Sequence, residues 1–438
     1  MENYLMPDSV YKTLTLITFA VGYSGIIFFS KRKSYFAGFA ALVIIFLTII
    51  FSSAEKSSSL IYIVKSINWN VLGIFVGTLI IAEAFIESGV PALIAHYLVS
   101  KSKNVGMAIL YLCIMASFIS AFVENVATVL IVAPVALEIA DRQKISPVPF
   151  LIGIAISSNL QGTATLIGDP PSMILAGYMK ITFNQFFILK GKPGIFFAIQ
   201  IGAVASFFVL FLFYKKYKDK VFENVRVKVN SWFPTYLIVL MILLLAISSL
   251  IDPEFSYLSG AISIFLGIVA SVWFLLRLKI SRKELLKKID FDTLIFLISI
   301  FILVGGIKRA GIMDDIANIT VTRLGANLFL IYTVIVWGSV LISAFIDNVP
   351  YITAMIPAVS LMAQRLSVSP YLLVFGLLIG SCLGGNITHV GASANVVSVS
   401  ILKRRGYNIG LREFSKIGLP FTLSATAASY IFVWLIWH

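Results

Sequence analysis

Ionic charge is scarce in this sequence. Asp, Glu, Lys and Arg make up 12% of 438 residues, about half the share found in a soluble domain. With a mean hydropathy of +0.98, this excludes a water-soluble enzyme or regulatory domain and leaves a polytopic membrane protein. Cysteine is rarer still: Cys113 and Cys382 both lie in apolar context. They make no disulfide framework. They read as small hydrophobes in helices, with a soft ligand for a thiophilic cargo as the alternative. No Walker A sequence, no His/Cys metal cluster and no nucleophile constellation occurs. ATP hydrolysis by this chain, and enzymatic activity in general, are therefore not expected. Acids are fewer than bases, for a net charge of +14. The bases form short clusters between apolar runs, so the partner is a bilayer and not nucleic acid.

What is abundant is apolar sequence, 59% of the chain. Runs long enough to span occur near 13–30, 35–53, 70–88, 148–176, 194–214, 233–251, 257–276, 291–308, 371–401 and 416–437. About 20 residues at 1.5 Å rise cross the hydrocarbon. The first run, Leu14 to Phe29, follows Glu2, Asp8 and Lys12 without a clear cleavage site, and reads as a retained helix. Runs 105–139 and 326–363 are too long for one span and too short for two. They read as re-entrant hairpins, whose non-helical tips are tolerated at depth only where buried or facing a polar cavity. The stretch 180–193 reads as an interfacial amphipathic segment.

The basic clusters Lys31-Arg32-Lys33, 215–228, 277–288 and Lys403-Arg404-Arg405 set a multi-pass topology in the inner membrane with the N-terminus outside. Five spans precede residue 230, so the second half enters with opposite polarity. The expected fold is all-α, with about ten transmembrane helices, two re-entrant hairpins and an inverted repeat. The expected units are 1–100 and 231–323, one part of each repeat, and 101–230 and 324–438, which hold the hairpins and the interrupted spans.

The repeat is visible in the residues. SAFVENVATVLIVAP at 120–134 returns as SAFIDNVPYITAMIP at 343–357, and SSNLQGTATLIGDPPS from Ser157 aligns with GSCLGGNITHVGASAN from Gly380 at the same offset of 223. Polar residues thus recur at equal intervals inside membrane-spanning runs, which points to a secondary transporter with its site where the halves meet. Glu124-Asn125 and Asp347-Asn348 put a carboxylate beside an amide at each hairpin tip. A charge at the bilayer centre costs roughly 2.5–3.5 kcal/mol, and such oxygens suit a hard cation. Desolvation also favours the protonated acid. Helix capping or pairing with a lysine is the plainer alternative.

Gly162-Thr163, Gly168-Asp169-Pro170-Pro171, Gly384-Gly385-Asn386 and Gly391-Ala392-Ser393-Ala394-Asn395 interrupt two spans. Glycine and proline unwind the helix there, which exposes N–H groups to anions and carbonyls to cations. Asp169 has no acidic counterpart, since Ala392 takes its place. It is either an asymmetric proton or substrate group or an N-cap for a half-helix at Pro170. His389 reads as a hydrogen-bonded structural group, with a proton carrier as the alternative. Glu83 is a lesser candidate, and Glu87 reads as snorkelling at a membrane end.

On these motifs the chain resembles the ion transporter superfamily, in the branch (CitMHS-like) that holds arsenite-efflux permeases, D-type Na⁺/H⁺ antiporters and the melanosomal pink-eyed-dilution permease. It is more distantly similar to divalent-anion/sodium symporters. Those carry Ser-Asn-Thr at each tip, where this chain has Glu124-Asn125-Val126 and Asp347-Asn348-Val349. Two added acids weigh against a dicarboxylate. The resemblance implies Na⁺ sites at Ser120, Asn125 and Gly168 and at Ser343, Asn348 and Gly391. It also implies a homodimer, an elevator movement and, for some arsenite permeases, an ATPase subunit.

The leading expectation is a secondary transporter in which Na⁺ or H⁺ is the coupling ion. Glu124 and Asp347 would exchange H⁺ for arsenite, antimonite or Na⁺, with Ser120, Asn125, Thr163, Gly168, Asp169, Ser343, Asn348, Gly391, Ser393 and Asn395 around the site. The alternatives are a Na⁺-coupled symporter of an anion such as citrate, using the half-helix N-termini, and a channel.

Overall fold

The computed structural model describes residues 9–29, 32–51, 56–220, 228–279, 281–324 and 327–438. Glu2 and Asp8 of the first flank, Lys31, and residues 221–227 and 280 of two basic clusters lie outside these residues. The first repeat comprises α1 (Ser9–Phe28), α2 (Lys33–Ile50), α3 (Lys56–Ser66), α4 (Trp69–Glu87), α5 (Val90–Ser100), α6 (Val105–Ser120), α7 (Asn125–Gln143), α8 (Val148–Gly162), α9 (Pro170–Met179) and α10 (Ile195–Tyr214). The second comprises α11 (Phe233–Ile251), α12 (Leu258–Arg277), α13 (Arg282–Lys287), α14 (Phe291–Arg309), α15 (Ile312–Leu324), α16 (Leu328–Ser343), α17 (Asn348–Arg365), α18 (Pro370–Gly384), α19 (Ser393–Arg404) and α20 (Leu411–Trp437). Each helix of the first half has its counterpart ten places later.

Local sequence sets these boundaries twice over. Asn104 caps α6 through the Met107 N–H, and Asn327 caps α16 through the Leu330 N–H. Asn68 and Asp290 do the same for α4 and α14. Glu124 caps α7 and Asp347 caps α17. An oxygen at the N-cap satisfies a backbone donor that the helix leaves orphaned.

Among the described residues nine helices are long and apolar enough to cross a membrane: α1, α2, α4, α10, α11, α12, α14, α18 with the turn that follows it, and α20. The expected span at 148–176 is divided at its break into α8 of 15 residues and α9 of 10. The partner span divides likewise into α18, a short 3-10 turn at Gly385–Ile387, and α19. Helices α6 with α7, and α16 with α17, form the two hairpins, each reversing over four residues. The stretch 180–193 contains a 3-10 turn, Phe183–Phe186, and a two-residue antiparallel pair, Ile188–Leu189 with Lys192–Pro193, the minor exception to an all-helical chain.

The helices pack as two bundles. In the first, α4 lies against α12 and α2 against α14, so each repeat completes the other's frame. Small residues permit this closeness. A Cβ on Gly73 would lie 3.0 Å from the Gly260 Cα, and one on Gly267 3.1 Å from the Gly77 Cα. In the second bundle the hairpins pack chiefly on the broken helices of their own repeat, α6 and α7 on α8 and α16 and α17 on α18, and also crosswise, α19 on α7 and α9 on α17. Helices α10 and α20 pair along this bundle, and α5 and α15 lie chiefly against the hairpin arms.

Candidate functional site

The hairpin tips and helix breaks meet in the interior of the second bundle. Ser120, Asn125, Thr163, Gly168, Asp169, Ser343, Asn348, Gly391 and Asn395 are all buried there. Ser393, the first residue of α19, is exposed.

Equivalent bonds tie each tip to its own break. Thr165 Oγ1 donates to the Ala121 carbonyl, and Thr388 Oγ1 donates to the Ala344 carbonyl. Glycine is required for this approach. A Cβ on Gly168 would lie 2.5 Å from the Gly162 oxygen and 2.8 Å from the Ser120 oxygen. On Gly391 it would lie 2.6 Å from the Gly385 oxygen and 2.9 Å from the Ala344 oxygen. Backbone carbonyls are thus crowded around both breaks.

The first tip is held by side chains. Ser120 Oγ donates to Asn125 Oδ1 (2.5 Å), and Ser158 Oγ reaches Ser120 Oγ (3.0 Å) and the Asn125 carbonyl (3.1 Å). Asn125 Nδ2 donates to Asn159 Oδ1 (3.2 Å). Asn159 in turn donates to the Cys382 carbonyl (2.9 Å) and to Asn386 Oδ1 (3.0 Å) of the other repeat. One asparagine therefore joins the first tip to the second broken helix.

The second tip is built differently. Ser343 Oγ donates to the Ser381 carbonyl, while Asn348 Nδ2 donates to Asp169 Oδ2 (3.4 Å). Asp169 also faces the Asn125 side chain. The Asn348 amide thus bonds Asp169 directly, while the Asn125 amide, near the same carboxylate, is spent on Asn159. Cys382 stands where the first repeat has Asn159, and its thiol faces Thr163 and Asn348. Cys113 is bonded elsewhere, to the Tyr214 hydroxyl at 4.0 Å, so the two thiols do not share a site.

The tip acids differ in partner. Glu124 accepts from the Ala127 N–H (3.1 Å) and has no ion-pair partner among the described residues. Asp347 accepts from the Val349 N–H (3.1 Å) and pairs with Lys33 Nζ at 2.8 Å. Glu83 and Glu87 both pair with Lys288 near the end of α4, at 3.1 and 2.8 Å.

Four half-helices begin here: α7, α9, α17 and α19. Three carry an acid at the N-cap, namely Glu124, Asp169 and Asp347; the fourth carries Ala392. Pro170 and Pro171 remove two more donors from α9. At α7 and α17 the positions a bound anion would use are occupied by the Glu124 and Asp347 carboxylates, whereas Asp169 makes no capping bond at α9. Among the described residues, the buried oxygens Asn395 Oδ1 and Gln161 Oε1 have no hydrogen-bond partner. Asn395 spends its two amide hydrogens on the Gly385 and Thr388 carbonyls (2.9 and 3.0 Å), which leaves its oxygen free.

Asn159, Ser158, Gln161 and Asn386 escaped the reading of the sequence as site residues, although they lie within the duplicated motifs. A polar residue inside an apolar span was the available signal. Lys33 was hidden among topological charges.

The sequence profile of one family, CitMHS, described as Citrate transporter, matches residues 26–380. The chain belongs to the citrate-transporter family. Similar relatives include the 46 kDa membrane protein of Mycobacterium leprae, 30% identical over 84% of this chain and 86% of that one. An uncharacterized transporter of Synechocystis is 24% identical over 90% and 91%. The mouse P protein is 26% identical over 83% of this chain, which spans 53% of that longer protein. The fold matches the YdaH transporter of Alcanivorax borkumensis with a TM-score of 0.63, 14% identity, and coverage of 92% and 98%. This citrate-transporter family member is an integral-membrane transporter.

Proposed function

We propose that the chain is a secondary transporter for a small inorganic cation or for a neutral oxyacid such as arsenite or antimonite, exchanged for H⁺ or Na⁺. The observation that carries this reading is the set of acids at three of the four half-helix N-termini, with the Asn348 amide on Asp169. Such a site holds a cation or a proton and repels an anion. The crowded carbonyls at both breaks and the free oxygen of Asn395 support cation ligation. Cys382 is a soft ligand at the crossing, and Na⁺ is the better fit to the oxygens.

The two-bundle packing supports an elevator cycle in which the hairpin bundle moves against the α1–α4/α11–α14 frame; the basic clusters support an inner-membrane protein with the N-terminus outside, and the resemblance noted above supports a homodimer. A second reading, Na⁺-coupled symport of a carboxylate such as citrate, is favoured by the uncapped N-terminus of α19 at Ala392 and by the family's description.

Everted vesicles with a pH-sensitive dye test the choice. Added Na⁺ or arsenite that dissipates an imposed ΔpH supports exchange. Labelled citrate uptake that rises with Na⁺, without ΔpH dissipation, would replace it with the second reading. A growth-rescue panel scored for salt and arsenite toxicity then names the cargo.

A further inference from the structure

Lys33 begins α2 in the frame bundle, yet its Nζ reaches 2.8 Å across to Asp347 at the tip of the other bundle. Both side chains are largely withdrawn from solvent, at 15% and 22% exposure. Tyr23 Oη, on α1, donates to the Pro350 carbonyl (3.0 Å) in the first turn of α17, so this face of the second tip is docked on the frame. The ammonium lies 5.0 Å from the Phe296 ring centre. Asp290 and Asp292, at the start of α14, stand close enough to act on its charge. Ser34 Oγ is bonded to Asp292.

The first tip has no such anchor. Ten helices earlier in the repeat, Glu124 occupies the place of Asp347 with no ion-pair partner among the described residues. At an offset of 222 residues from Lys33 stands Phe255, which carries no charge. The duplicated site is therefore symmetric in its acids and asymmetric in its cations.

We propose that Lys33 is a tethered counter-ion that occupies Asp347 in place of a mobile cation. This rests on the cation-exchange reading above. A mobile cation and the ammonium cannot both neutralise a single carboxylate at hydrogen-bonding distance. In the conformation seen, Lys33 expels the mobile ion from the second tip. When the hairpin bundle moves, Lys33 stays with the frame, where Asp290, Asp292 and the Phe296 face receive its charge, and Asp347 takes up H⁺ or Na⁺. Lys33 thereby determines on which side of the cycle the second tip releases its ion; Glu124 lies within reach of the same charge but is not ion-paired with it. It is a positioning residue for ion release, not a ligand of the cargo.

The test uses the purified full-length chain, with Na⁺ as the probe and choline chloride balancing ionic strength. Thermal unfolding gives the half-saturating Na⁺ concentration, or the stabilising pH for a proton carrier. Reconstituted vesicles give flux and charge per cycle. K33Q is expected to lower the half-saturating Na⁺ about tenfold, or raise the stabilising pH by about one unit, with slower turnover. K33R keeps wild-type values. The double variant K33Q/D347N has no charge at the pair, serves where K33Q alone folds poorly, and is expected to carry one fewer charge per cycle. Wild-type half-saturation in K33Q, or an unchanged charge stoichiometry in the double variant, overturns the role given to Lys33. A wild-type chain with no Na⁺- or H⁺-driven flux overturns the cation-exchange reading itself.

Discussion

The amide of Asn348 donates to the carboxylate of Asp169 across 3.4 Å, so the tip of the second hairpin is held by the broken helix of the first repeat. The Asn125 side chain lies near the same carboxylate, so Asp169 stands between the two tips. Asp169→Asn keeps the shape and removes the charge. We expect transport to fall at least about tenfold, with stability changed by about 1 kcal/mol or less. Flux in vesicles at matched protein content, alongside thermal unfolding in detergent, reads both. Undiminished flux would reduce Asp169 to a structural bridge.

The two tip acids should not behave alike. Glu124→Gln leaves a polar N-cap and costs about 0.5–1 kcal/mol of stability, while ion-dependent ΔpH dissipation is lost. Asp347→Asn also strands the half-buried Lys33 ammonium. A fully buried pair broken this way costs about 3–5 kcal/mol; the residual exposure here brings the expectation to about 2 kcal/mol. Equal destabilisation of the two variants in urea or heat would contradict the pairing seen.

The tip–break contacts leave no room for a methyl group. Gly168→Ala and Gly391→Ala would press on backbone oxygens of both the break and the hairpin. Each should lose about 2 kcal/mol or more, or fail to accumulate. Gly338→Ala meets nothing within 4 Å and, as a helix-interior change, should be neutral or slightly stabilising. Detergent-extracted yield and melting temperature compare the three. Tolerance of alanine at Gly168 would refute the close approach.

Lys288 offers a test away from the site. Burial works against its ammonium, and hydrogen bonds and charge from Glu87 and Glu83 more than offset it, so its pKa sits above the ordinary 10.5. A raised pKa means that the folded chain holds this proton more tightly than the unfolded one. The stabilisation is complete below about pH 10.5 and fades as pH rises through the higher folded value. Wild-type protein should therefore lose more stability between pH 9 and pH 12 than Lys288→Met does. Parallel melting curves for the two across that range would remove the pair from the account.

Duplicated motifs made both hairpins and both helix breaks legible without coordinates, because glycine, proline and paired polar residues have few uses inside apolar runs. The hairpins end beyond their apolar stretches, at Gln143 and Arg365, since the polar ends Asp141-Arg142-Gln143 and Gln364-Arg365 remain helical. What stayed hidden was cross-repeat bonding. The role of Asn159 depends on a carbonyl and an amide more than 220 residues away. No local pattern marks Lys33, whose partner lies 314 residues along the chain. Long-range pairing of this kind comes from the crosswise packing of the repeats and leaves no periodicity to read.

The glycine seam between α4 and α12 has a consequence for how such a chain comes into being. Neither half owns a complete frame, and each would present lipid with a groove shaped for a helix it lacks. A truncated product ending midway should thus be recognised as incomplete by membrane quality control, whereas two separately made halves should find each other and restore the carrier.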